Sequence, residues 1–434
     1  MRACIANACV NDGTASSGGE HRSADVIADL LAGPGLQVAR YEPTPGRVSL
    51  VARIEGSDPS APSLCLLGHT DVVPANPDRW RRDPFGAELV DGEVWGRGAV
   101  DMLAITCTMG LAVRRLADRG FRPRGTLVYA AVADEEAAGI HGAAHLVDHE
   151  WDAVGTDYVV TEGGGWPVGT RDGPRIQLAP AEKGWWWGRI TVTGSPGHAS
   201  RPWRVDNAVV KAAEVVARLA AAAPPAAVGD VWRRWVEGMA FDADLAAALV
   251  DPARLDDALE QLALTTSVAT ARMAHACTHL TLAPTVVHGG IKANVLPDVV
   301  TLEVDGRLLP GQPVEMVERL VADALAGLSG VTWESAAEPA TESPMDTPLY
   351  AALERAARRL RPDVRALPTL MAGATDARTF RRAGATAYGF ALFSARHDAS
   401  ELASMFHGDD ERVDLETLRL STLLWEHLAT DLLS

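Results

Sequence analysis

Three apolar runs of this 434-residue chain end on residues that can hold a metal or move a proton. Run 63–67 (SLCLL) leads into Gly68-His69-Thr70-Asp71, and run 126–132 (TLVYAAV) leads into Asp134-Glu135-Glu136. Run 158–160 (YVV) leads into Thr161-Glu162 and three glycines. His69 and Asp71 are two apart, so a strand would present both on one face. A carboxylate beside a metal-bound imidazole fixes its orientation and raises its basicity. Asp101 closes the loop WGRGAVD just ahead of a helical stretch, where Asp serves equally well as a helix N-cap or as an exposed bridging carboxylate. Each residue has an ordinary reading too. A strand-end His is commonly just hydrogen-bonded, and Asp-Glu-Glu before a helix suits the helix dipole. The coincidence of three strand ends shifts the balance toward a site.

The elements that must position these residues are legible. Continuously apolar runs suit strands buried on both faces. Helical patterns alternate with them, at 102–118, closed by Gly120, and at 140–149. This β–α–β rhythm predicts a mostly parallel sheet covered by helices, whose strand carboxyl ends form the ligand crevice. The texture changes near Lys183. Segment 185–193 (WWWGRITVT) alternates like a half-exposed strand, 207–222 reads as a helix, and 230–273 is acidic and helix-rich. Strand patterns return at 279–287 and 299–308, followed by a helix at 314–328 and a strand near Val331. From Thr347 the α/β texture resumes, with a helix at 349–360, a strand at 385–392 and a final helix at 415–433. The predicted fold class is α/β: a mostly parallel-sheet domain in two parts, 1–182 and 340–434, with an inserted α+β domain at 183–339.

Composition narrows the function. The 57 acidic and 40 basic residues leave a net charge of −17, which disfavours nucleic acid and anionic membrane as partners. No run approaches the ~18 apolar residues of a membrane span, and the first residues lack the apolar core of a signal peptide. Five cysteines with no C-x-x-C pair fit a reducing compartment, so a cytoplasmic protein is expected. Only three lysines occur, at 183, 211 and 292, which excludes a Lys-rich tail. A G-x-S-x-G nucleophile elbow is missing, which argues against a serine hydrolase of that type.

In order along the chain stand GHTDVVP from Gly68, WRRDPF from Trp80, GRGAVDM from Gly96, DEE at Asp134, TEGG at Thr161 and GSPGHASRP from Gly194. HGGIKANVLPD from His288, DGRLLPG from Asp305, GATDAR from Gly373 and FHGDDERV from Phe406 follow. This ordered set resembles the M20 metallopeptidases, a group that includes aminoacylases, glutamate carboxypeptidases and the deacylases of acetylornithine and succinyl-diaminopimelate. The resemblance implies two divalent metal ions, zinc first with cobalt or manganese tolerated, bridged by Asp101. His69 and Glu162 would complete one site, and Glu136 and His407 the other. Three ligand carboxylates and one hydroxide balance two dications. Glu135 would be the general base that activates the bridging water and protonates the leaving amine. Asp71 would orient His69.

The inserted domain resembles a lid and dimerisation domain, implying a homodimer. There His198 would stabilise the oxyanion, often from the partner subunit. Asn294, Arg307, Gly373 and Thr375 would bind substrate, with the Arg fork suited to a carboxylate. The ordinary fates of these groups are a turn histidine and a surface ion pair. Asp101-Met102-Leu103-Ala104 departs from the common Asp-Met-Lys-Gly, the segment ahead of Asn11 is short, and 230–273 reads as extra helical material in the lid. The implied activity is amide hydrolysis of an N-acyl amino acid or short peptide with a free carboxylate; Glu162 favours the deacylase and carboxypeptidase side. The alternatives are a metallo-carboxypeptidase or dipeptidase on unblocked peptides and, more remotely, a non-catalytic binding protein on the same fold.

Overall fold

A computed structural model describes residues 1–434. Its centre is a ten-stranded sheet in which Leu127–Val132, Leu64–His69, Tyr158–Thr161 and Thr386–Gly389 lie side by side, all parallel. Alternation along these strands explains their unbroken apolar character. Leu64 and Leu66 join a core with Met109 and Val113 of the helix Leu103–Asp118 and with Leu424 and Trp425 of the helix Leu415–Leu432. Cys65 and Leu67 point the other way, into a cluster with Ala143, Leu146 and Phe380. The class is mixed α/β with a parallel centre. The parallel strands run the same way, so His69, Glu135 and Glu162 follow their carboxyl ends at one edge.

Several strands escape the sequence reading. A hairpin, Gln37–Thr44 with Arg47–Ile54, pairs antiparallel onto one edge. At the other edge lie Gly173–Glu182 and, parallel to it, Arg365–Met371. Pro174, Pro180 and Pro368 interrupt both sequences and hide the strand signal. The helix expected at 140–149 is shorter, Ala143–His149, because residues 138–142 form a turn in which Gly142 and Ala144 donate back to the carbonyl of Gly139.

A second sheet of four antiparallel strands runs in the order Thr281–Gly289, Val299–Leu308, Gly184–Thr193, Val331–Glu338. Trp186, Ile190 and Val192 bury one face under the helices Ala208–Ala220 and Val314–Leu325. The opposite face carries Trp187, Arg189 and Glu303, largely exposed. The helices within 230–278 depart from the expectation that they belong to the lid. Trp232, Trp235, Leu249 and Leu262 pack with Ala181, Leu367 and Leu370 of the larger sheet. Their apolar faces therefore cover the pair Gly173–Glu182 and Arg365–Met371, not the four-stranded sheet.

Candidate active site

His69 sits at the end of its strand, fully buried. Its Nδ1 donates to the carbonyl of Asp71 at 2.9 Å, which leaves Nε2 free to ligate. That Nε2 lies 3.1 Å from Asp101 Oδ1 and 3.5 Å from Glu162 Oε1. His407 Nε2 lies 2.9 Å from Asp101 Oδ2 and 3.3 Å from Glu136 Oε2. Asp101 thus offers one carboxylate oxygen to each imidazole, and it does not cap the following helix, whose N-cap is Met102. Ligand atoms of His69, Asp101 and Glu136 fall within 4.8 Å of one another, as do those of His69, Glu135 and Glu162.

This packing of acids is costly without a counter-charge. Glu136 Oε1 and Glu162 Oε2 are buried with no hydrogen-bond partner, and an uncompensated buried carboxylate costs several kcal/mol. Burial and the nearby Asp101 push Glu162 up to about 8. Burial and Glu162 hold Glu135 well above the usual carboxylate range. Hydrogen bonds to Asp101 and Glu136 lift His407 to about 10. Two unpartnered oxygens, two imidazoles and a shared carboxylate suit divalent zinc-like ions, whose mixed N/O ligation this donor set matches.

The turn carrying Glu135 and Glu136 is strained and tightly held. Asp134 and Ala138 flank it, both left-handed at φ 71° and 76°. Such backbone persists only where surroundings enforce it, and it clusters at functional sites. The enforcement comes from Asp71. Its carboxylate accepts from the backbone N–H of Glu135 at 3.2 Å and of Glu136 at 3.1 Å, and from Asn11 Nδ2 at 2.9 Å. The His69 ring is 3.5 Å from the same carboxylate, so Asp71 orients the turn more directly than it orients the imidazole. Asn11 is in turn fixed by Arg47, itself paired with the buried Glu20.

Two further carboxylates position the site and were not singled out from sequence. Glu411 is fully buried and accepts from the backbone N–H of Gly98 at 2.9 Å, Val100 at 2.6 Å and Asp101 at 2.9 Å. Arg97 adds an ion pair at 2.8 Å. Pairing of Arg412–Asp414 with Glu93–Trp95 delivers Glu411 to this loop. Glu182, on the last residue before the chain crosses to the second sheet, accepts from Thr375 N at 2.7 Å, Thr375 Oγ1 at 2.9 Å and Arg381 at 2.9 Å. Thr375 therefore spends its polar atoms holding its own loop. The only sequence signals for either were FHGDDERV for Glu411 and the change of texture at Lys183 for Glu182.

Asp101, Glu135, Glu136, Glu162 and His407 line one cavity of about 270 Å³ together with Arg307, Gly373 and Thr375. Arg307 reaches it from the second sheet while forking onto Asp305 at 2.7 and 2.9 Å. His198 and Asn294 lie elsewhere. His198 sits on a two-stranded ribbon, Gly197–His198 with Val295–Leu296, where its Nδ1 accepts from Ser200 Oγ at 2.8 Å, and Asn294 lies in the turn just ahead of Val295, its carbonyl accepting from Ala199 N–H. Neither lines the cavity within one chain.

The sequence model of Peptidase family M20/M25/M40 matches residues 65–431. The chain belongs to this family. It is a hydrolase of a metal-dependent group, and the match spans every residue of the cavity. Aminoacylase-1 of Mus musculus is 29% identical over 364 residues, covering 82% of this chain and 78% of that protein. An N-fatty-acyl-amino acid synthase/hydrolase of Xenopus tropicalis is 29% identical over 391 residues, covering 86% and 73%. Among solved structures, the M20 family metallo-carboxypeptidase Sso-CP2 of Sulfolobus solfataricus aligns over 99% of this chain and 97% of its own, with TM-score 0.76 and 18% identity. At that identity the likeness concerns the fold. No helix is long and apolar enough to cross a membrane.

Proposed function

We propose that this chain hydrolyses the amide bond of an N-acyl amino acid, or of a short peptide with a free carboxylate, at a dinuclear metal site. One observation carries the reading: Asp101 divides its two oxygens between His69 and His407, beside two buried carboxylate oxygens that lack any partner. His69, Asp101 and Glu162 would hold one ion and Asp101, Glu136 and His407 the other, zinc fitting best. Bound there, the ions supply Lewis-acid polarisation of the scissile carbonyl and a more acidic attacking water. Glu135 takes the proton of that water and hands it to the departing nitrogen, the work of a positioned general base and acid. Arg307 meets the substrate carboxylate by opening its fork on Asp305.

In this reading residues 1–182 and 340–434 supply the metal and base residues, and within 183–339 the four-stranded sheet with the helices Ala208–Ala220 and Val314–Leu325 forms the lid and dimerisation domain. The five buried free thiols accord with a cytoplasmic setting. The aminoacylase relatives favour N-acyl amino acids, and a panel of N-acetyl amino acids and unblocked dipeptides tests this. Hydrolysis of the acetylated set is the expected result. Cleavage of the unblocked set alone would transfer the chain to the dipeptidase or carboxypeptidase reading.

His198 is exposed and outside the cavity of its own chain. We assign it to the oxyanion of a partner subunit in a homodimer. His198→Ala should then lower kcat by about 10²–10³-fold with little change in KM, as expected of a donor acting in the transition state. Steady-state kinetics decide this, and a change confined to KM would reduce His198 to a substrate contact.

A further inference from the structure

The cavity has an aromatic wall that the hydrolytic chemistry does not require. Trp185 and Trp187 are two apart on Gly184–Thr193 and so share a face. Their rings stack with centroids 4.4 Å apart and planes 28° off parallel. Both indole N–H groups are tethered, Trp185 to Glu338 at 2.9 Å and Trp187 to Asp305 at 3.0 Å. The pair is thus held in place before any ligand arrives, which cuts the ordering cost of binding. Trp186, between them, is fully buried on the opposite face, whereas Trp187 leaves 49% of its surface open. Both outer rings line the same cavity as Glu135 and Glu162.

Register says which half of a substrate meets this wall. Trp185 is the cross-strand partner of Arg307, and Trp187 of Asp305. Directly opposed side chains stand about 5 Å apart at Cβ, so a carboxylate on Arg307 places the substituent of its own α-carbon beside the indoles. At about 270 Å³ the cavity lies at the small end of ligand pockets. The larger concavity beyond Trp187 is lined by Arg189, Glu303 and Glu334, a charged surface unsuited to an aliphatic tail.

We propose that the amino acid released by this enzyme carries an aromatic side chain, laid against the Trp185–Trp187 stack while its carboxylate engages Arg307. The proposal rests on the amidohydrolase reading above and names its substrate class. The test measures kcat/KM for N-acetyl-phenylalanine, N-acetyl-alanine and N-benzoyl-alanine with the wild type, Trp187→Ala and Trp187→Phe. The wild type should prefer N-acetyl-phenylalanine over N-acetyl-alanine. Trp187→Ala should cut that preference roughly tenfold, through KM more than kcat, and Trp187→Phe should restore most of it, as stacking of one ring pair predicts. Equal rates for the two acetylated substrates, or a preference that Trp187→Ala leaves intact, overturn the proposal while the amidohydrolase reading stands. A Trp187→Ala defect confined to N-benzoyl-alanine also overturns it, by assigning the ring to the acyl half. Hydrolysis of none of the three by the metal-loaded wild type removes the N-acyl amino acid reading, and this proposal with it.

Discussion

Glu135→Gln is expected to keep its full metal content and to lose about 10²–10⁴ of kcat, the usual contribution of a positioned general base. The substitution preserves shape and the backbone N–H that Asp71 accepts from, so the strained turn should survive. What it removes is an oxygen able to take a proton. The geometry makes the experiment discriminating, because a Glu135 oxygen also lies within 4.8 Å of ligand atoms of His69 and Glu162. Elemental analysis beside steady-state kinetics separates the two roles. Lost metal together with lost turnover would make Glu135 a ligand, and a near-normal kcat would leave the reaction without its base.

Exhaustive chelation is expected to bring activity to background, and Zn²⁺ or Co²⁺ to restore it. The reason is electrostatic as much as catalytic. Without dications, Asp101, Glu136 and Glu162 share one buried region with two oxygens lacking partners. A ligand that binds only the folded chain also stabilises it, by about 2.7 kcal/mol at a hundredfold excess over Kd. Chelation should therefore lower Tm as well as abolish turnover, read by calorimetry on the same samples. Activity that outlasts chelation would defeat the metal assignment.

The sequence exposed much of this centre because the parallel strands are buried on both faces. A strand of that kind must be apolar to its last residue, so a polar residue at its end marks the functional edge, as at His69, Glu135 and Glu162. The residues that hold the site were harder to see. Glu411 ends a short acidic run and Glu182 closes an apolar one, and only the pairing of Arg412–Asp414 with Glu93–Trp95, and of Thr375 with Glu182, gives them their work. The helices within 230–278 were legible as helices, because periodicity is local. Their seat on Leu367 and Leu370 was not, because it depends on strands whose prolines conceal them.

What the sequence by itself determined is the α/β class, the ordered motifs and the identities of residues able to ligate or move protons. These are properties of types and spacing along the chain. The tertiary structure decided which oxygen of Asp101 faces which histidine, that Asp71 grips the Glu135-Glu136 turn, and that Trp185 and Trp187 wall the cavity beside Arg307. It also left His198 and Asn294 outside that cavity in a single chain. Such outcomes turn on contacts between residues tens to hundreds of positions apart, whose relative placement is set by strand register and by packing of one sheet against another.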